Sequence, residues 1–252
     1  MKLLNPTRVL ATLTLLLSFT LPGTAVSQDW EYSGNLYLWG AGIQGELANG
    51  AEIDASFGDI LEELDFALMG GFEGNNGKWI WGADAIYLNI GADRSGTIPP
   101  MAGGPGLSTN ADIDITGNIF TLLGGRVIRQ DASGNFNVVF GLRYLDVDTG
   151  LRLSSVAPGP RVSVSAKQDA LDFIIGVRGR KELNENWFLP YHLDFGFGDS
   201  ESPWTAVGGF GRYYGWGEMV FAYRHMEWSF DSSEPIRDID FSGPVVQARW
   251  NF

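Results

Sequence analysis

The sequence predicts an all-β fold, a transmembrane antiparallel β-barrel running up and down through about ten strands, with eight as the alternative. Three observations predict it. Apolar and polar residues alternate along runs of roughly ten to fifteen residues that turn-formers separate. Beyond the amino-terminal region no segment approaches the roughly 18 consecutive apolar residues of a helical span, so a membrane crossing must be made by strands. The chain also stops on "VVQARWNF", alternating up to a terminal aromatic, where soluble chains end in a frayed polar tail.

In chain order, Lys2 and Arg8 precede the apolar run "VLATLTLLLSFTL", and Pro22, Gly23 and the small residues "AVS" at 25–27 follow it. That order is a secretory signal peptide over residues 1–27, cleaved after Ser27 or, as second choice, after Ala25, leaving 28–252 as one barrel domain. Strands are expected at about 30–47, 64–74, 78–92, 111–130, 135–149, 165–182, 187–198, 204–214, 217–230 and 239–252. Without the weakly patterned 30–47 and 204–214 the count is eight. Either count is even, which returns both termini to the periplasmic side.

Short turns are expected at "GNNGK", "DASGN", "LNENW" and "YGWG". Longer polar connections are expected at 48–63, 94–110, 150–164 and 231–238, with a short one at 199–203. Short turns at one end and long loops at the other are the outer-membrane pattern. Within the first loop, "SFGDILEELDF" starts like a capped helix: Ser56 or Asp59 can cap, and Ile60, Leu61 and Leu64 share a face. A short helix is expected there at about 58–63.

The faces of the strands carry the membrane assignment. Phe136, Val138, Phe140, Leu142 and Tyr144 lie on one side of their strand, and Asn137, Val139, Gly141 and Arg143 on the other. In the last strand Val246, Ala248, Trp250 and Phe252 oppose Val245, Gln247, Arg249 and Asn251. A soluble sandwich would bury the apolar side, and a transmembrane barrel turns it to lipid. Aromatic placement favours lipid: Trp79, Trp81 and Trp187 follow tight turns, while Tyr144 and Trp228 lie near the opposite strand ends, as interfacial girdles do.

Composition excludes other classes. There is no cysteine, hence no disulfide and no lipidated amino-terminal cysteine. The net charge of −13 becomes −15 once Lys2 and Arg8 are removed, opposite in sign to a nucleic-acid binder. The glycine-rich "MAGGPG" and "VGGFGR" precede no helix and are not phosphate loops; no metal-ligand spacing appears, and no cofactor is expected. A weak repeat, "GLRYLDVD" at 141–148 and "AYRHMEWS" at 222–229, has one hairpin as its unit.

The polar face supplies a candidate lumen charge network: Asp65, Asp84, Arg126, Arg143, Asp172, Arg178, Arg180, His192, Asp194, Glu218, Arg224 and Arg249, with Glu73 beside them. Charges so far inside must be paired or hydrated. Barrels of about eight strands are filled by side chains, which favours a salt-bridged plug over a conducting pore. His192 and Asp194 share the inward face, so a base and an acid could meet there, but they sit near the periplasmic turn and read as structural. His225, on the outward face near the outer rim, reads as an interfacial anchor. No residue is assigned a catalytic role, and the chain is not expected to be an enzyme.

"YLWGAGIQGE", "SFGDILEELDFALMG", "GLRYLDVDTGL", "LDFIIGVRGRKELNENW", "HLDFGFG" and "GPVVQARWNF" together resemble a family of uncharacterised outer-membrane β-barrel proteins, related in architecture to the OmpW- and OmpA-like small barrels. The resemblance implies insertion into the outer membrane by the barrel-assembly machinery, which reads Trp250 and Phe252, with outer-membrane lipid and lipopolysaccharide as surroundings. It implies no substrate, and a monomer is the default. The chain departs from the family at His225, where a tyrosine is usual, and in the shortened "DFGFGDSESPW". The function expected is a porin-like or structural barrel, with a narrow pore for small solutes as one version. The alternatives are an enzyme acting on lipid A or peptides, and adhesion through the acidic loops.

Overall fold

The computed structural model describes residues 29–47, 52–55, 58, 64–98, 107–155 and 161–252. The expected signal peptide lies outside them, and so does the expected helix at 58–63 apart from Gly58.

All described elements are strands: β1 (Glu31–Trp39), β2 (Gly42–Leu47), β3 (Glu52–Ala55), β4 (Leu64–Asn75), β5 (Trp79–Ile98), β6 (Leu107–Asp131), β7 (Gly134–Ser155), β8 (Arg161–Glu182), β9 (Trp187–Gly198), β10 (Trp204–Tyr214), β11 (Gly217–Ser229) and β12 (Ile236–Asn251). From β4 to β12 each pairs antiparallel with the next, and β1 joins β12 to β4, which closes the sheet. β2 continues β1 along β12, and β3 pairs with β2 above the position of β4. The twelve segments therefore make a closed antiparallel barrel of ten staves, two of them interrupted. The break at Gly40 and Ala41 needs Gly243 opposite, because a Cβ there would stand 2.0 Å from the Gly40 carbonyl oxygen.

Side-chain oxygens close the tight turns. Asn76 Oδ1 accepts the amide hydrogens of Lys78 and Trp79 at 3.1 and 2.8 Å, and Asn184 Oδ1 those of Asn186 and Trp187 at 2.9 and 3.0 Å. In the turn after β11, the Ser233 amide and hydroxyl hold the Asp231 carboxyl below its ordinary pKa. Such Asx turns let one or two residues reverse a strand.

Alternation turns Leu36, Leu38, Phe120, Leu122, Phe140, Phe173, Ile175, Phe195 and Phe221 outward, all of them exposed. An apolar band around a barrel is stable against hydrocarbon and unstable against water. β9, β10 and β11, of 12, 11 and 13 residues, have the length of a tilted transmembrane strand. At the end carrying the tight turns the band finishes in an aromatic ring where Phe72 meets Tyr32, Trp81 and Phe252 at centroid distances of 5.9, 5.6 and 5.6 Å. Phe252 also exchanges both backbone hydrogen bonds with Tyr32, so the last residue completes the seam between first and last staves. Phe252→Ala is expected to cost about 1 kcal/mol through the lost aromatic pairs, read as a lower urea midpoint in micelles.

Two expectations are corrected. The connections at 94–110 and 150–164 are largely strand, since β5 runs to Ile98, β6 from Leu107, β7 to Ser155 and β8 from Arg161. These four continue beyond the length a bilayer needs, 20 to 25 residues against about ten, as a sheet standing above the barrel. Trp228, expected in an outer girdle, points inward and is fully buried.

Candidate functional site

The barrel interior divides into two zones. Towards the turn end the inward side chains are charged and form four ion-paired clusters. Glu73 on β4 bridges Arg178 on β8 and Arg249 on β12, the latter at 3.0 Å. Arg180 reaches Glu218 at 3.1 Å and the Tyr213 hydroxyl at 3.0 Å, and that hydroxyl donates to Glu182 at 2.9 Å. The Tyr37 hydroxyl donates to Asp84 at 2.9 Å, and Arg224 reaches both, at 3.1 and 3.3 Å. Arg143 on β7 grips Asp194 on β9 with two parallel bonds of 2.8 and 2.7 Å, and His192 Nε2 contacts the same carboxylate.

Each cluster joins staves that are not neighbours in the sheet, so the charges brace the barrel across its lumen. Where such a pair is sequestered from water, as Arg143 with Asp194 is, it adds little net stability, but removing one member strands the other. Phe188 lies beneath the Arg180 guanidinium at 4.4 Å, and its ring occupies the space beside Gly211, where a Cβ would approach to 2.2 Å. Gly211→Val is expected to destabilise by about 1 to 3 kcal/mol through overpacking, measured by urea unfolding.

The charged groups of these clusters, fully buried Asp194 apart, line a cavity of about 870 Å³ that runs from residues beside the tight turns, among them Gln130, Asp131 and Asn251, up to Tyr37, Arg143 and Val245. Beyond it the interior becomes apolar. Trp39, Leu145, Met226, Trp228, Ile236, Ile239 and Phe241 form one buried cluster, with Trp228 edge-on to Phe241 at 6.0 Å. Phe230 and Ile236 flank the last hairpin and fold into the same cluster. Among the described residues the lumen is thus a wet, charge-lined cup at the turn end and a dry plug at the loop end.

The sequence-derived network is placed as follows. Asp84, Arg143, Arg178, Arg180, His192, Asp194, Glu218, Arg224 and Arg249 all carry lumen contacts in these clusters. Arg126 does not belong: it faces outward, its guanidinium over the Trp79 ring at 4.9 Å, because β6 passes it in register with that outward tryptophan. Arg212 does the same over Trp187 at 5.4 Å. Among the described residues Asp172 pairs with no arginine; it accepts the Ser200 amide and hydroxyl at 3.0 and 2.8 Å and so pins the connection after β9. The Asp65 side chain lies outside the described residues.

Sequence reasoning missed Tyr37, Tyr213 and Glu182 as hydrogen-bonding partners, although their parity along each strand marks them inward. His192 meets Asp194, whose carboxylate is at the same time clamped by Arg143. His225 faces outward against Trp204, Ser242 and Glu227.

Fold and site together define a class, a transmembrane β-barrel with a plugged lumen. No protein-family model and no curated protein matches the chain. Among solved structures it is similar to the translocator domain of the autotransporter NalP from Neisseria meningitidis, at 15% identity and a TM-score of 0.44, covering 98% of this chain and 94% of that one. It is also similar to Ail, the attachment invasion locus protein of Yersinia pestis, at 11% identity and a TM-score of 0.36, covering 88% and 98%. The outer membrane protein OprG from Pseudomonas aeruginosa follows at 13% identity and a TM-score of 0.29, covering 88% and 95%. The fold assignment rests on the strand register itself.

Proposed function

We propose that the protein is an integral outer-membrane barrel of structural type, its lumen closed at rest, with the tight turns and both ends of the barrel domain in the periplasm and the long strand extensions outside. The observation that carries this reading is the apolar cluster around Trp228 and Phe241, which fills the loop end of the lumen. Water and ions cross a barrel only along a continuous polar path, and tryptophan, phenylalanine and isoleucine stacked across the lumen interrupt it. The signal-peptide pattern, the even stave count and the terminal Trp250 and Phe252 support export and delivery by the barrel-assembly machinery. The apolar band supports a lipid and lipopolysaccharide surround for a single barrel.

A second reading, a narrow pore for small solutes, is favoured by the charge-lined cup of about 870 Å³. Planar-bilayer recordings of the refolded protein discriminate. A closed lumen gives a silent bilayer over a wide voltage range, and discrete, voltage-independent openings from the wild type overturn the structural reading in favour of the pore. Membrane fractionation of tagged protein checks the location, and recovery in the soluble periplasmic fraction contradicts it.

A further inference from the structure

On the outer wall, near the loop end, three side chains from two neighbouring strands stand in the order of a hydrolase relay. His225 on β11 and Ser242 on β12 are direct cross-strand partners, and Glu227 lies two residues further along β11 on the same face. Ser242 Oγ is 2.6 Å from His225 Nδ1, and Glu227 Oε2 is 3.3 Å from His225 Nε2. The two nitrogens of one imidazole are thus engaged by a hydroxyl on one side and a carboxylate on the other, which is the arrangement that turns a serine into a nucleophile.

The surroundings hold this order in place. The Trp204 indole N–H donates to the same Glu227 oxygen at 2.9 Å, and its ring lies against the imidazole at 4.4 Å between centroids. With Glu227 accepting from Nε2–H, Nδ1 is left as the acceptor facing Ser242. The serine proton has a second acceptor in reach, Asp240 Oδ1 at 3.2 Å, and the shorter contact to Nδ1 governs. On the far side of Ser242 the β2 partner is Gly42, which has no side chain to cover the hydroxyl. None of the three is fully buried.

Position selects the substrate. His225 stands about eight residues up β11 from the turn, roughly 20 Å of height at a tilt near 40°. The exposed Phe221 and Tyr223 lie below it on the same face, and Asp240 and Glu227 lie level with it or above. That height is where hydrocarbon gives way to headgroup, and where the acyl esters of an outer-leaflet amphiphile sit. A lipid arrives there by lateral diffusion and needs no pocket in the lumen.

We propose that Ser242, His225 and Glu227 form a lipid-facing site that hydrolyses fatty-acyl esters of outer-leaflet amphiphiles; the proposal rests on the outer-membrane placement given above. Ser242 Oγ attacks the ester carbonyl carbon while its proton passes to His225 Nδ1. The bond from that carbon to the headgroup alcohol breaks, and the alcohol leaves with the proton. A water then gives its proton to Nδ1 and its hydroxyl to the acyl carbon, releasing a fatty acid and restoring the Ser242 hydroxyl. Glu227 is a positioning residue: it fixes the imidazole and stabilises the imidazolium.

The test uses the full mature barrel folded in micelles, with heat-modifiable electrophoretic mobility scoring folding of every variant. A fluorophosphonate probe is expected to modify Ser242, located by peptide mass spectrometry, and His225→Ala abolishes the adduct. Fatty-acid release is measured in two arms, diacyl phospholipid and purified lipopolysaccharide, and the arm that responds identifies the source of the ester. Release is expected to fall at least about 100-fold in Ser242→Ala and His225→Ala. Glu227→Gln is expected to lower the rate at saturating lipid while leaving the half-saturating lipid concentration unchanged, and Glu227→Asp is expected to restore part of that rate, as a positioning role requires. Absence of a Ser242 adduct on folded protein, together with equal release by wild type and Ser242→Ala in both arms, overturns the proposal. Failure of the chain to fractionate with membranes overturns the placement instead, and the micelle assays still report on the relay.

Discussion

Trp228→Ala is expected to lower the stability of the folded barrel by about 3 to 5 kcal/mol, the cost of removing a large buried aromatic from a packed interior. Trp228 is fully buried, its indole edge-on to Phe241, and it stands in the middle of the cluster at the loop end. The cluster draws residues from β1, β2, β4 to β8, β11 and β12 and is closed by the Phe230–Ile236 hairpin, so neighbouring staves cannot collapse into the space without breaking the sheet. The loss is read from the urea midpoint in micelles with an unchanged denaturant slope. Trp228→Phe, which keeps a ring in contact with Phe241, is expected to cost less than half as much. Equal stability of Trp228→Ala and wild type would mean that the loop end is not packed as described. The alanine variant is also the one expected to leak ions in a planar bilayer, because it removes a fully buried tryptophan from the plug.

Arg143→Met is expected to cost a similar amount, about 3 to 5 kcal/mol, for an electrostatic reason. Arg143 and Asp194 are almost completely sequestered, at 2% and 0% side-chain exposure, and their two hydrogen bonds span from β7 to β9 over β8. Methionine keeps most of the volume and leaves Asp194 without its guanidinium. The double variant Arg143→Met/Asp194→Leu is expected to recover most of the loss, since a buried ion pair replaced by apolar groups of like size is close to neutral. Urea unfolding of the two single variants and the double one measures the coupling. Additive losses would show that the pair acts as two independent side chains and not as one brace.

How far these features are legible in the sequence depends on which solvent each residue meets. Within the lipid band, period-two alternation is enforced on every strand, so Phe136 to Tyr144 and Val246 to Phe252 could be assigned to the outer face from spacing alone. Outside the band both faces of a strand are wet, the alternation has no cause, and the ladder of β5 to β8 beyond about residue 92 is set by hydrogen bonding between partners that the pattern does not reveal. The short β3 escaped for the same reason.

Inside the lumen, parity marked most inward charges but could not say which would pair, because Glu73 with Arg178 or Arg180 with Glu218 joins residues brought together by closure and stave tilt. Arg126 was misplaced because a charge on the lipid side is unexpected until its interfacial tryptophan, Trp79, is seen beneath it. The plug was hidden because the alternation inverts at the loop end: Met226, Trp228, Ile239 and Phe241 point inward while polar His225, Glu227, Asp240 and Ser242 point outward, the reverse of the lipid band, and Trp228 and Phe241 reveal their direction only once the register is known. His225 with Ser242 was out of reach for spacing, since the two belong to different strands.

The division of the lumen into a cup and a plug can be tested most directly by one-sided labelling of single cysteines, which the absence of native cysteine makes clean. Gln247→Cys places a thiol on the cup wall, and Val147→Cys places one within the apolar cluster. A charged, membrane-impermeant methanethiosulfonate is added to one side at a time of proteoliposomes holding the barrel in one orientation. With the plug closed, Gln247→Cys reacts only from the turn end and Val147→Cys from neither side. Reaction of Gln247→Cys at comparable rates from both sides would contradict a closed lumen.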